Sequence, residues 1–194
     1  YSHYFEVLKS GAKKMDVAVT ADQFEQLMQY VLLLDKWNKV YNLSAIRNID
    51  EMLSLHLLDS LSISKYCHGE RWIDVGTGGG LPGIPLAILH PEKKFTLLDS
   101  NGKKTRFLFQ VKTALTLDNI EVVQARVEKY LPDRLFDVVV SRAFASIKDM
   151  MDGCEHLLND SGQFYAMKGL YPEDELSELP KPYKVTDSYP LKVP

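Results

Sequence analysis

The segment from Trp72 to Gly83, WIDVGTGGGLPG, constrains the fold of this chain more than any other part. A short apolar run leads directly into a turn with glycines at alternate positions, Gly76, Gly78 and Gly80. Because glycine has no Cβ, the backbone of such a turn can bend sharply and lie against a ligand. The order of strand, glycine-rich turn and helix is typical of nucleotide-binding α/β proteins.

Short runs rich in Val, Ile, Phe and Leu, each of the length of a buried strand, recur after this point. The predicted strands are Arg71–Val75, Lys94–Asp99, Ile120–Ala125, Phe136–Ser141 and Gln163–Lys168. The predicted helices between them are Pro82–Leu89, Gly102–Leu115 and Ser146–Leu158. Because strands and helices alternate, we predict a Rossmann-like α/β fold, with a parallel sheet covered by helices on both faces.

The residues before the first strand are predicted to be helical. From Thr20 onward apolar residues recur at a spacing near 3.6, and Thr20 with Gln23 matches the capping box that begins a helix. Asn48 and Glu51 form a second such signature. We therefore predict a helical N-terminal extension over residues 1–66, packed on a core of residues 67–194 to form one compact unit.

The second predicted strand ends at Asp99, where an acid can accept hydrogen bonds from both hydroxyls of a ribose. Together with the backbone at Gly76 and Gly78, this acid predicts a cofactor that contains adenosine. S-adenosylmethionine is favoured over a dinucleotide because the frame of the dinucleotide fingerprint would begin two residues late, at Gly78. A nucleotide-dependent oxidoreductase and a structural turn without a ligand are the alternatives at this point.

Composition excludes several other classes. Cys67 and Cys154 have no Cys/His ligand spacing, so we expect neither a disulfide nor a metal site. No apolar run approaches the roughly 20 residues of a membrane-spanning helix, and Tyr1–Gly11 does not match a secretory signal, so we expect a cytoplasmic protein. The formal net charge of −3 argues against a general nucleic-acid binder. Any contact with RNA must therefore be local.

Several blocks of this sequence resemble the RsmG family, also called GidB. The blocks are WNKVYNLSAIR at 37–47, HLLDS at 56–60, DVGTGGGLPGIP at 74–85, LDS at 98–100, SRAFAS at 141–146 and MKG at 167–169. Members of the family are cytoplasmic bacterial enzymes that methylate N7 of one guanine in 16S ribosomal RNA. The resemblance implies the same activity here, with S-adenosylmethionine as the methyl donor and 16S ribosomal RNA or the small-subunit particle as the partner. We expect a monomer.

The resemblance also implies which residues contact the cofactor. These positions are Gly76, Leu81, Val127, Glu128 and Arg142. Leu81 would offer an apolar wall, and Arg142 would pair with a carboxylate. A solvated charge for Glu128 and a structural ion pair for Arg142 stay open as alternatives. Family members usually have proline where this chain has Gly79, which is expected to loosen the turn, and the family's last strand is expected beyond Pro194.

The chemistry of the expected reaction needs no general base. Guanine N7 carries an in-plane lone pair in neutral RNA, so no proton has to be removed before it attacks a sulfonium methyl group. In-line transfer then depends on proximity and orientation. We therefore predict no catalytic acid or base, and we interpret His56 as a packed structural residue.

The sequence indicates less clearly which residues would contact RNA. Lys103, Lys104 and Arg106 fall at the start of a predicted helix, where the macrodipole disfavours cations, so they are candidates for phosphate contacts. A solvated helix face is the alternative. Arg47 and Lys168 are further candidates. A small-molecule methyltransferase, which suits the acidic net charge, and a ribosome-binding module without catalysis remain as alternative functions.

Overall fold

A five-stranded sheet lies at the centre of the computed structural model, which describes residues 2–43 and 48–167 apart from the side chains of residues 54 and 55. The strands are β1 (Arg71–Val75), β2 (Lys94–Asp99), β3 (Ile120–Gln124), β4 (Phe136–Ser141) and β5 (Leu158–Ala166). All neighbouring strands are parallel, and their order is β3-β2-β1-β4-β5. The predicted parallel α/β sheet is thus confirmed.

Helices precede the sheet, as predicted. They are α1 (Ser2–Lys14), α2 (Ala21–Tyr41), α3 (Ile49–Glu51), a π-helical segment (Met52–Leu57) and α4 (Leu58–Ser62). The capping box at the start of α2 is confirmed, since the Gln23 amide donates to the Thr20 hydroxyl at 3.2 Å and the Thr20 amide donates to the Gln23 side chain at 2.9 Å. Asn48 likewise accepts a hydrogen bond from the Glu51 amide at 2.8 Å.

Helix α1 is an element that the periodicity of the sequence did not predict individually. It buries few side chains, chiefly Leu8 and Ala12, so its apolar stripe is narrow. Gly11 allows the close packing of this helix, because a Cβ at Gly11 would lie 2.7 Å from the side chain of Leu58. Tertiary contacts, including those with α2 and α4, therefore stabilise this helix.

The remaining helices lie between the strands. They are α5 (Gly83–Leu89), α6 (Gly102–Leu115) and α7 (Ile147–Cys154). Successive residues of a strand point to opposite faces, so Trp72 joins an apolar cluster with α2, α5 and α6, whereas Ile73 joins a second cluster with α7. The N-terminal helices share the first cluster with the sheet. The division of the chain between residues 66 and 67 stays a prediction.

Strand β5 begins five residues earlier than the sequence predicted. Leu158 pairs with Phe136, but the next regular pair joins Gln163 to Val138, and the register is irregular between them. The intervening residues NDSG are polar and resemble a loop, so no alternating pattern marks them as a strand. The Asn159 side chain donates to the Asp137 carboxylate at 2.6 Å and ties this segment to β4.

Candidate functional site

The candidate site lies at the carboxyl edge of the sheet, beside β1. The chain passes from β1 outward through β2 and β3 and then returns to place β4 on the other side of β1. In open α/β sheets, ligands bind in the crevice that forms where the strand order reverses in this way. The segments that follow β1, β2, β3 and β4 therefore converge on one region.

The glycine turn after β1 has a conformation that only glycine adopts readily. Gly76, Gly78 and Gly80 have φ angles of +69°, +60° and +101°. A Cβ at Gly76 would lie 2.5 Å from the Cβ of Ala143, and one at Gly80 would lie 2.5 Å from Ile84. At Gly78, in contrast, no atom of the described residues, its two chain neighbours aside, lies within 4 Å of the Cβ position. The turn is packed tightly on both sides of Gly78 and is open at Gly78 itself.

Asp99 at the end of β2 is bound directly to this turn. Its Oδ2 accepts a hydrogen bond from the Gly78 amide at 2.8 Å, and its Oδ1 accepts one from the Asn101 amide at 2.9 Å. Each carboxylate oxygen has a second lone pair, so the carboxylate retains the capacity to accept hydrogen bonds from a ligand. The structure thus brings together Gly78 and Asp99, which the sequence analysis had linked only by the chemistry of a ribose.

A second acid, Asp74, lies buried beneath the turn. Its Oδ2 accepts hydrogen bonds from the Thr77 hydroxyl at 2.8 Å and from the Gly83 amide at 2.9 Å. Asp74 thereby connects β1, the turn and the first residue of α5. The sequence analysis had included Asp74 only as the first residue of a block that resembles the RsmG family. The signal that could have revealed its role is the acid itself, since an acid inside a buried strand requires hydrogen-bond donors.

Arg142, the first residue after β4, pairs with the helical extension. Its Nη2 lies 3.1 Å from Oδ2 of Asp59 in α4, and both side chains are half-buried. Its Nη1 is buried and has no hydrogen-bond partner among the described residues. Burial raises the pKa of Asp59, and the neighbouring guanidinium opposes that rise. Sequence reasoning did not identify Asp59, although its block HLLDS was part of the family resemblance.

The charge of Arg142 also acts on other buried groups around it. Burial lowers the pKa of His56, and the Arg142 charge lowers it further, so the imidazole is neutral near pH 7. Burial raises the pKa of Tyr30, the Asp74 charge raises it further, and Arg142 opposes both. The Arg142 charge therefore acts on side chains of α2 and of the π-helical segment.

Helix α2 covers the turn from above. The Tyr30 hydroxyl donates a hydrogen bond to the Gly79 carbonyl at 2.7 Å, and Tyr30 is buried. A Cβ at Gly79 would lie 3.0 Å from the side chain of Leu34. The turn is therefore held at Gly79 by the helical extension, at the position where the resemblance led us to expect a looser turn.

The other residues implied by the resemblance lie around this centre. Leu81 is half-buried against the first apolar cluster. Val127 and Glu128 lie in a short 3₁₀ turn after β3, where Val127 packs on the second apolar cluster and Glu128 is exposed. The Ala125 amide donates to the Asp99 carbonyl at 3.1 Å, so this turn begins next to the end of β2. Arg47 and Lys168 lie outside the described residues.

The burial of Asp74 gives the protein a testable pH dependence. Burial raises the pKa of Asp74 to about 7, even though hydrogen bonds from Thr77 and Gly83 and the Arg142 charge oppose the rise. In the unfolded chain the carboxyl group ionises near pH 4. Because the folded protein binds this proton more tightly, its free energy of unfolding is expected to fall as the pH rises from about 4 to about 7.

The substitution Asp74→Asn should remove most of that fall, since the amide carries no charge and keeps one oxygen for Thr77 and Gly83. Urea unfolding at several pH values between about 4 and 8 measures how the free energy of unfolding of each variant depends on pH. Asp133→Asn, at an exposed position, is the matched control and should keep the wild-type slope. Parallel profiles for the wild type and Asp74→Asn would show that this carboxyl group does not set the dependence.

Within residues 2–43 and 48–167, no group of three or more His, Cys, Asp or Glu side chains is arranged to hold a metal ion. In the same part of the chain, no helix combines the length and the apolar character needed to cross a membrane.

Solved structures share the fold of this chain at low sequence identity. A crystal structure of coclaurine N-methyltransferase bound to N-methylheliamine and SAH superimposes with a TM-score of 0.52 at 9% identity, covering 86% of this chain and 50% of that one. An S-adenosylmethionine-dependent methyltransferase from Aquifex aeolicus gives a TM-score of 0.50 at 19% identity, covering 64% of this chain and 74% of that one. Both confirm the methyltransferase fold class.

Other proteins are far more similar to this chain in sequence than these solved structures are. A family model described as GidB, rRNA small subunit methyltransferase G, matches residues 23–194. A protein from Saccharophagus degradans named ribosomal RNA small subunit methyltransferase G is 56% identical over 187 residues, 96% of this chain and 84% of its own length. One of the same name from Pseudomonas aeruginosa is 53% identical over 193 residues, 99% of this chain and 90% of its own. The chain therefore belongs to the GidB family, that of rRNA small subunit methyltransferase G, as its sequence blocks predicted.

Proposed function

We propose that this chain transfers a methyl group from S-adenosylmethionine to N7 of one guanine in 16S ribosomal RNA. The geometric observation that carries the proposal is the hydrogen bond between the Asp99 carboxylate and the Gly78 amide, at a glycine whose Cβ position is open among the described residues. The family supplies the class of substrate, because its relatives are named for ribosomal RNA of the small subunit.

The described residues fit the methyl donor at three points. The open face of Gly78 lets a ligand lie against the backbone. The carboxylate of Asp99 would accept hydrogen bonds from the ribose hydroxyls. The buried Nη1 of Arg142 has no partner among the described residues and would bind the carboxylate of the donor. We further propose that Gly76, Leu81, Val127 and Glu128 surround the adenosine part, as the family resemblance implies.

The role of the protein in catalysis would be positioning. S-adenosylmethionine supplies an electrophilic methyl group on a sulfonium sulfur. Guanine N7 already carries a free lone pair, so no proton has to be removed. The chain has only to hold the base in line with the methyl group and to exclude water. The ion pair between Arg142 and Asp59 agrees with a positioning role, since it fixes the guanidinium in place and partly neutralises its charge. We therefore assign no general base.

One observation favours a second candidate. The formal net charge of −3 suits a methyltransferase for a small molecule better than an RNA enzyme. The charge is unevenly distributed, however, since residues 101–150 carry nine Lys and Arg against six Asp and Glu. An excess of basic residues in this part of the sequence agrees with a local contact with RNA, and labelling of the substrate separates the two candidates.

The test is transfer of tritium from labelled S-adenosylmethionine to small-subunit particles and to naked 16S RNA, both from a strain that lacks the enzyme. We expect labelled 7-methylguanine at one mapped position. Binding of S-adenosylmethionine without labelling of RNA would favour the small-molecule methyltransferase, and no binding at all would overturn the proposal.

We also propose that the active form is a cytoplasmic monomer. Light scattering of the active fraction, with and without S-adenosylmethionine, should then give the mass of one chain, 22.1 kDa. A mass of two chains in the active fraction would contradict the monomer.

A further inference from the structure

A shallow groove lies between the last turn of α2 and the first turn of α6. The two helices are antiparallel: the Gln26 side chain donates to the Leu115 carbonyl at the end of α6, and the Trp37 ring lies 5.6 Å from the ring of Phe107. The end of α2 therefore meets the start of α6. Because Asn101, which caps α6, donates its amide to the Asp99 carboxylate, this groove adjoins the candidate site at the carboxyl edge of the sheet.

Two aromatic and two basic side chains line the groove. They are Trp37, Tyr41, Lys103 and Arg106. The rings of Trp37 and Tyr41 are 5.2 Å apart and tilted by 39°. Trp37 is half-buried against Phe107, whereas Tyr41 is 43% exposed. Exposed aromatic side chains of this kind mark interaction sites, and their faces can stack on nucleic-acid bases.

Helix α6 carries an excess of positive charge that the fold does not require. The helix carries Lys103, Lys104, Arg106 and Lys112 and has no acidic residue. Three of these cations lie near its N-terminus, where the macrodipole disfavours them. Asn101 already caps the helix by accepting hydrogen bonds from the amides of Lys103 and Lys104. Among the described residues, no ion pair neutralises Lys103 or Arg106.

We propose that this groove binds a single-stranded segment of the RNA substrate, with a base stacked on Trp37 and Tyr41 and phosphates bound by Lys103 and Arg106. The inference rests on the proposed function and deepens it. Aromatic faces and cations in one groove match the two chemical parts of an RNA strand, its bases and its phosphates. A duplex would not fit, because its bases are stacked on one another and unavailable to the aromatic rings.

Tryptophan fluorescence tests the proposal directly. The chain has two tryptophans, and Trp72 is fully buried, so a quencher in the groove acts on Trp37. The probe is a mixed-sequence single-stranded RNA of about ten nucleotides, within the site size of single-strand binders. We expect the RNA to quench the fluorescence of the wild type, and Trp37→Phe to keep binding but lose the quenching. Wild type that binds the RNA without quenching would overturn the proposal.

The basic residues are tested by the dependence of binding on salt. In the double variant Lys103→Ala and Arg106→Ala, we expect affinity to fall about tenfold or more at low salt and the slope of log affinity against log salt to decrease by about 1.4. The exchange Lys103→Arg with Arg106→Lys should restore both. The matched control is Lys13→Ala with Lys14→Ala, two exposed cations in the last turn of α1, which should behave as wild type.

The methylation assay separates this inference from the function on which it rests. If the wild type methylates particles and the Lys103/Arg106 double variant does so with an unchanged KM, the groove proposal is wrong and the function stands. If the wild type binds the RNA as expected but labels no RNA, the proposed function is wrong and the groove stands. A raised KM in the double variant, with unchanged affinity for S-adenosylmethionine, is the result we expect.

Discussion

The substitution Gly76→Ala is expected to abolish binding of S-adenosylmethionine and to lower the free energy of unfolding by about 2–4 kcal/mol. Two causes add. The φ angle of +69° is strained for any residue with a Cβ, and the new methyl group would lie 2.5 Å from the Cβ of Ala143. The turn would have to move away from the end of β4. Calorimetric titration with S-adenosylhomocysteine and urea unfolding measure the two effects.

Gly78→Ala is the matched comparison for that experiment. Its φ angle of +60° imposes a similar strain, about 1–2 kcal/mol, but within residues 2–43 and 48–167 no atom beyond its two chain neighbours lies within 4 Å of the new methyl group. The methyl group would instead enter the space that we assign to the ligand. We expect this variant to remain folded and to lose affinity for the cofactor. Wild-type affinity in Gly78→Ala would show that nothing binds against this face of the turn.

The second large effect is expected for Asp99→Ala, which should weaken binding of S-adenosylmethionine by about 100-fold or more. The substitution removes the acceptor that we propose for the ribose hydroxyls, and hydrogen bonds to a charged group contribute about 1.5–3 kcal/mol each. It also removes the acceptor of the amides of Gly78 and Asn101, so the turn loses its attachment to β2. Equilibrium dialysis with labelled cofactor measures the loss.

Asp99→Asn should not rescue binding, for a geometric reason. The two oxygens of Asp99 accept from two different backbone amides, at 2.8 Å and 2.9 Å. An amide side chain has one oxygen, so its NH₂ group would face a second N–H donor. Asp118→Asn, at an exposed position before β3, is the control and should bind as wild type. Near-normal affinity in Asp99→Asn would contradict the double role of this carboxylate.

Local features of the sequence were sufficient to predict the core of the fold. Strands β1, β2 and β4 have the predicted bounds, because buried parallel strands are nearly continuous apolar runs that contrast with their flanks. The glycine turn was located because only glycine readily adopts the positive φ angles that it needs. The start of β5 was missed because its first residues are polar and pair irregularly.

Several contacts of the candidate site could not be predicted from local features of the sequence. Arg142 was identified by resemblance, but its pairing with Asp59 joins residues 83 positions apart in sequence. The hydrogen bond from Tyr30 to Gly79 joins α2 to the turn, and the groove beside Trp37 exists only because α2 packs antiparallel to α6. No periodicity or motif in one segment contains information about such pairs.

The sequence by itself determined the class of this protein: the alternation of strands and helices, the glycine turn, the acid that ends β2 and the blocks shared with its family. These features depend on local backbone conformation and burial, which each segment encodes through its own residues. The tertiary structure alone decided which helix covers the turn, which carboxylate holds Arg142 and where basic and aromatic side chains meet. Those depend on the return of the chain from β3 to β4 and on the packing of the N-terminal helices, which bring distant segments together at one edge of the sheet.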